Sequence, residues 1–471
     1  MEQQNDEVNA YIAENHARWM EGLREWLRIP SISADSAYQS DVRASAAWFA
    51  DACSTLGFPT VEILETPGHP AVFAHWPSED PNAITVLLYG HHDVQPVVPE
   101  GLWTHPPFEP TIVGDVLHGR GAIDDKGQIA FHLLGLAAHL HAEQRQSPAV
   151  NLKFLIEGEE EMGSTHLRQL LEEHQEMLSC DVIVVSDTTM FAADTPSVCL
   201  SMRGMVAAQV SAFGPKEDLH SGVFGGAVPN PIHGLSRFID SLHDENGRVA
   251  IPGFYDDVVE LSDAQRAKTA KLPFKEAEWL RDTAQVGATF GEEGYSTVER
   301  IGLRPTAECN GIWGGYTGEG DKTIIPSEAH AKLSFRLVAD MSPVKVKELI
   351  AAYVKDYVYS GIRFEVSFTS GAFRPCMTPG DHPANRALVQ AMESAFGQEI
   401  LFTYEGGAGP QADLVDVLDA PVIFLGVGLP DDRFHAPNER ARVPLLLKGA
   451  QATAYLWRGL AENADEIRRA S

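Results

Sequence analysis

At 471 residues, with 44% hydrophobic and 22% charged content, the chain has the composition of a soluble globular protein and the length of two domains. Its 66 acidic against 36 basic residues give a formal charge of −30, a field that repels phosphate backbones and argues against a nucleic-acid partner. No apolar run approaches the ~20 residues that cross a bilayer, so no membrane partner is expected.

The opening Met1–Glu7 is acidic and polar, the opposite of a signal peptide's basic start and apolar middle. Two helices are predicted next: Tyr11–Leu27, with an apolar stripe stopping before Pro30, and Val42–Leu56, with Gly57 at its end. From about 60 to 200 apolar strands alternate with the helices Gln128–His141 and Thr165–Met177, the βαβ pattern of a parallel sheet. The apolar runs are Val86–Gly90, Gly121–Ile123, Leu152–Ile156 and Val182–Val185. From Ser201 the texture changes, and Val206–Phe213 and Ala329–Val338 alternate like half-buried antiparallel strands. Between them lie a helix, Pro231–His243, and an irregular charged stretch over 256–300. Pro343–Tyr359 reads as helix and Arg363–Phe368 as strand, before the helix Asn385–Phe396 and the strand Val422–Leu425 resume the first texture. The prediction is an α/β fold, a mostly parallel sheet flanked by helices, made from 1–200 and 376–471, with an α+β module over 201–375 inserted in it. The five cysteines (Cys53, Cys180, Cys199, Cys309 and Cys376) form no CxxC pair, which predicts reduced thiols and a cytoplasmic location.

Five apolar runs end, within a few residues, on metal-compatible side chains: His91-His92-Asp93, Asp124-Asp125, Glu159-Glu160-Glu161, Asp187, and Asp431-Asp432 with His435. Ligands of open α/β sheets collect beyond the carboxyl ends of the strands, so this placement points to a metal centre. Alternation along extended backbone puts His91 and Asp93 on one side and His92 on the other. His91 can then bind metal while Asp93 accepts from a ring or holds a neighbouring ligand, although a lone His near a strand end is more often structural. An N-cap would account for one of Asp124 and Asp125. Two adjacent acids among other acids are better explained by a cation, with Asp124 as a bridging carboxylate. The triple-Glu run could be a solvated face. Following a buried-type strand, however, its carboxylates would diverge so that one ligates metal and a neighbour takes a proton from the attacking water. Two histidines and three carboxylates suit a pair of Zn²⁺ ions, or Mn²⁺ where oxygen ligation dominates. HExxH, GxSxG and Walker A sequences are absent; Gly315–Lys322 and Gly119–Asp124 match a P-loop and a dinucleotide fingerprint only partially.

Tyr89–Pro96, Gly119–Gly127, Glu159–Ser164, Ser186-Asp187 and Asp218–Gly226 together resemble, in order, the signatures of the two-metal peptidases that include carnosinases, cytosolic non-specific dipeptidase, glutamate carboxypeptidase and succinyl-diaminopimelate desuccinylase. The dipeptidase branch is most similar. The resemblance implies that His91 and Asp187 hold one metal, Glu161 and His435 the other, and Asp124 bridges them, followed by a cis peptide to Asp125. It implies Glu160 as general base and Asp93 as the residue that positions the His91 imidazole. The inserted module would be a lid and homodimerisation domain, with His220 reaching the partner's site. Arg336 would anchor the substrate's carboxylate, and Thr323 and the Gly406–Pro410 turn, with Gly407 and Ala408, would contact substrate. Dipeptidases of this kind read Gly-Gly-Ser in that turn, and Ala408 lacks the hydroxyl. The implied activity is hydrolysis of dipeptides or short peptides with a free C-terminal carboxylate; the alternative is deacylation or desuccinylation of N-acyl amino acids with the same chemistry.

Overall fold

The computed structural model describes residues 2–407 and 409–470. The chain forms two compact units, one of Met1–Leu200, Met377–Thr403 and Asp413–Ser471, the other of Ser201–Cys376 and Tyr404–Ala412. The sequence reading kept all of 376–471 in the outer unit, whereas Tyr404–Ala412 returns to the inserted one. Local packing explains the return. A Cβ on Gly302 would sit 2.5 Å from that of Tyr404, and Arg203 Nε donates to the Gly406 carbonyl at 3.2 Å.

In the first unit, six strands are ordered Thr60–Leu64, Ala71–Trp76, Asn151–Glu157, Thr85–His91, Val182–Val185 and Val422–Phe424. The last four run parallel, and the first two form an antiparallel edge. The near-continuous apolar runs that predicted these central strands are buried throughout, as expected of parallel strands covered on both faces. Lys126–Ala142 packs against both Glu2–Leu27 and Val443–Glu462. Gly135 permits the second contact, because a Cβ there would lie 2.6 Å from the Ala450 carbonyl. Gly57 ends the helix Gln39–Leu56 at φ +116°, the left-handed cap that glycine takes at least cost.

Two predicted elements differ. The helix predicted over Thr165–Met177 is two short ones, Leu167–Glu173 and Gln175–Leu178, interrupted at His174. Gly121–Ile123 is no strand but a tight turn, because its N–H groups bond to the buried Glu439 carboxylate rather than to a neighbouring strand.

The second unit holds a four-stranded antiparallel sheet, ordered Thr306–Gly314, Glu328–Leu337, Gly204–Phe213 and Arg363–Phe373. Strict alternation along Gly204–Phe213 and Glu328–Leu337 buries one face. There Val206, Val210 and Phe335 meet Leu235 and Phe238 of the helix Pro231–Asp240 and Ile350 of the helix Pro343–Asp356. Each such side chain contributes about 1.5–3 kcal/mol by leaving water. The stretch read as irregular contains short helices, among them Asp263–Thr269 and Thr297–Leu303. Each of these two starts on a capping box, Ser262 with Gln265 and Ser296 with Glu299, a signal present in the sequence but outweighed by its charge. No helix among the described residues is long and apolar enough to cross a membrane.

Candidate metal centre

The five candidate ligands lie in the first unit, delivered mostly by the carboxyl ends of its parallel strands. His91 is the last residue of its strand, and Asp187 lies two residues beyond Val185. Glu161 sits in the 3-10 turn Glu160–Met162, just past the strand that ends at Glu157. His435 comes from the loop after Val422–Phe424, at φ +56°. Asp124 stands in the turn before Lys126–Ala142, and its peptide bond to Asp125 is cis.

Their ligand atoms form two groups, His91 with Asp124 and Asp187, and Asp124 with Glu161 and His435, each within 4.8 Å. Asp124 belongs to both. Its Oδ1 lies 3.2 Å from His91 Nε2 and its Oδ2 3.0 Å from His435 Nε2. Asp187 Oδ2 is 3.8 Å from the same nitrogen of His91, and Glu161 Oε2 is 3.1 Å from that of His435. Each group therefore offers one imidazole nitrogen and two carboxylates, one of them shared, a donor set suited to a borderline divalent cation.

The electrostatics fit that cation. Burial pushes the Asp187 carboxyl up to about 7, and the Asp124 charge adds to the push. Burial likewise raises Glu160 well above the carboxylate range and raises Glu161, helped in each by neighbouring acids. At Asp124 burial acts in the same direction, but hydrogen bonds from His435 and His91 outweigh it and hold that carboxyl low. Hydrogen bonds to Asp124 and Glu161 raise His435 to about 10. Glu161 Oε1, buried and without a hydrogen-bond partner among the described residues, is an acceptor that a cation would satisfy.

A pH dependence follows. With its pKa near 10, the metal-free His435 is protonated at neutral pH, whereas a ligand imidazole must be neutral. Metal uptake at pH 7 is expected to expel about one proton per chain from this residue, and affinity should rise with pH toward 10. Calorimetric titration of Zn²⁺ into metal-free protein, in buffers of different ionisation enthalpy, measures this. A heat independent of the buffer would remove His435 as a ligand.

Around the groups, the run His91-His92-Asp93 alternates as predicted. Asp93 Oδ1 lies 3.4 Å from His91 Nδ1, while His92 turns away to the Pro70 carbonyl at 3.0 Å. Burial lowers His92 to about 4, leaving a neutral structural imidazole. Asp93 also accepts from the backbone N–H groups of Glu160 and Glu161, at 3.3 and 3.1 Å, so one carboxylate orients both the imidazole and the Glu turn. The three Glu side chains diverge. Glu159 accepts from the His69 N–H at 3.0 Å and pairs with His166, away from the groups formed by Glu161. Asp125 makes no side-chain cap bond, so helix capping does not account for the acid pair.

Two supporting residues escaped the sequence reading. Gln95 Nε2 donates to Glu161 Oε2 at 2.8 Å, fixing the oxygen that faces His435. Glu439, fully buried, accepts from the N–H groups of Gly121, Ile123 and Asp124 at 3.0–3.1 Å and pairs with Arg120 at 2.7 Å. It ties the Asp124 turn to the His435 loop. Its only sequence signal is its place four residues after His435 in a polar loop.

The other predicted contact residues lie in the second unit. His220 and Thr323 are neighbours, since the strand Leu219–His220 pairs with Ile324–Ile325 and Ser221 N donates to the Thr323 carbonyl at 3.0 Å. His220 does not pair with Asp218, which instead takes Lys322 at 3.2 Å and the Ser327 N–H at 3.1 Å. Arg336 is half-buried on the strand Glu328–Leu337, opposite Thr306 and Met205. Gly407 is exposed, and Ala408 lies outside the described residues.

The chain is 28% identical to human Beta-Ala-His dipeptidase, over 97% of this chain and 93% of that protein. Among solved structures it is similar to the dipeptidase Dug1p from Saccharomyces cerevisiae, at 25% identity and TM-score 0.75, covering 98% of this chain and 99% of that one. It is also similar to the metallo-carboxypeptidase Sso-CP2 from Sulfolobus solfataricus, at 30% identity and TM-score 0.76, covering 94% and 99%. Residues 87–459, from the His91 strand to beyond His435, match the model of peptidase family M20/M25/M40, and the chain is a metallopeptidase belonging to that family.

Proposed function

We propose that the chain is a dipeptidase that cleaves dipeptides and short peptides bearing a free C-terminal carboxylate. The observation that carries this reading is the Asp124 carboxylate shared between two ligand groups, with the unligated Glu160 beside them. His91 and Asp187 would hold one divalent cation, Glu161 and His435 the other, and Asp124 both. The cations, Zn²⁺ or Mn²⁺, would supply the Lewis acidity that polarises the scissile carbonyl and acidifies the attacking water. Glu160 takes that water's proton on its carboxylate and passes it to the leaving amine. Asp93 keeps the His91 ring and the Glu160–Glu161 turn in place. The second unit acts as lid and homodimerisation domain and brings His220 to the partner's oxyanion, while Thr323 and the Gly407–Ala408 turn contact substrate. A cytoplasmic location accords with five cysteines that form no CxxC pair. Protein purified without chelator should carry about two equivalents of divalent metal per chain and hydrolyse unblocked dipeptides. One equivalent or none after reconstitution, or no turnover across a dipeptide panel, would refute the proposal.

Arg336 anchors the substrate's carboxylate, a natural bidentate pairing. Dipeptide amides are therefore expected to be cleaved roughly 10- to 100-fold more slowly than the free acids, the loss of a charge-assisted pair. Arg336→Ala should erase that difference. Equal rates on acid and amide with the intact enzyme would remove Arg336 from this role.

A further inference from the structure

The second unit contains a cavity of about 390 Å³ whose lining includes four arginines, Arg203, Arg300, Arg304 and Arg336. Two of them are committed within the fold. Arg304 binds Glu292 through Nε and Nη2, both at 2.8 Å, and its guanidinium lies over the rings of Tyr255 and Tyr295. Arg300 donates to the carbonyls of Glu292 and Phe290. Arg203 and Arg336 form no ion pair with any described residue. The Arg203 guanidinium donates to two carbonyls, Nε to Gly406 at 3.2 Å and Nη1 to Arg304 at 3.5 Å. Its Nη2 lies so close to Gly406 that a Cβ there would stand 3.0 Å away.

Two guanidiniums sharing one partly buried cavity repel each other. Burial and the charge of Arg336 together lower Arg203 to about 10, and Glu308 opposes this only from beyond ion-pairing distance. An arginine desolvated beside a like charge, with its fork fixed by neutral carbonyls, is a preorganised anion receptor. Thr306, Asn310 and Ser334 add uncharged hydrogen-bonding groups to the same lining.

We infer that Arg203 is a second cation of the substrate site, gripping the C-terminal carboxylate together with Arg336 and tying it to the Gly406–Gly407 turn. This rests on the reading of Arg336 as carboxylate anchor. The test compares kcat/KM on a dipeptide and on its C-terminal amide, using metal-loaded full-length enzyme. Arg203→Met should lower the value for the free acid roughly 10- to 100-fold, mainly through KM, and that for the amide far less. Arg203→Lys should regain part of the loss by restoring charge without the fork. Because both arginines hold one carboxylate, the Arg203→Met/Arg336→Ala double variant should lose less than the product of the single losses. Equal losses on acid and amide would reduce Arg203 to a support for the turn and overturn the inference, as would fully multiplicative losses in the double variant. A ratio of acid to amide that depends on Arg336 but not Arg203 sinks this inference alone. A ratio that ignores Arg336 sinks it together with the anchor reading.

Discussion

Glu160→Gln is expected to remove turnover by roughly 10²- to 10⁴-fold while leaving metal content nearly unchanged. The two ligand groups contain Glu161 and not Glu160, so the amide deletes a proton acceptor without deleting a ligand. Glu161→Gln should behave differently, weakening one metal, because Glu161 Oε2 and Asp124 Oδ2 both face His435 Nε2, at 3.1 and 3.0 Å. Elemental analysis of both variants after dialysis against the same buffered metal, alongside dipeptide turnover, separates the roles. If Glu160→Gln lost metal while Glu161→Gln kept it, the assignment within the run would be displaced by one residue.

His220→Ala is expected to lower turnover ~10²- to 10³-fold, the usual cost of losing an oxyanion donor. Its Nδ1 accepts from the Gly222 N–H at 3.0 Å, which in the neutral ring puts the proton on Nε2 and makes that atom a donor. The side chain is exposed, and Asp218 is engaged elsewhere, by Lys322 and the Ser327 N–H. If His220 serves the partner's site, mixing inactive His220→Ala and Glu160→Gln chains should restore part of the activity. The heterodimer then contains one site with both groups intact. Failure to complement despite demonstrated chain exchange would mean that His220 acts in its own chain or not at all.

The sequence carried the parts of this protein that depend on local periodicity. Buried parallel strands announced themselves as continuous apolar runs, and the candidate ligands His91, Glu161 and Asp187 follow those runs within a few residues, so sheet edge and candidate metal groups were legible together. Alternation alone separated His91 and Asp93 from His92. The strand pattern likewise marked the inserted unit, because half-buried antiparallel strands alternate.

Tertiary structure decided the rest. Which Glu of three turns toward Asp124 and His435 is set by Asp93 holding the Glu160 and Glu161 N–H groups, a contact across 67 and 68 residues. Glu439 shapes the Asp124 turn from 315 residues away, and so converts an apparent strand, Gly121–Ile123, into a loop. Arg203 and Arg336 share a cavity although 133 residues of chain separate them, which no spacing rule reveals. Periodicity records which face of an element is buried, but the partner that satisfies a polar group is chosen by long-range packing, and only the folded chain brings that partner within hydrogen-bonding reach.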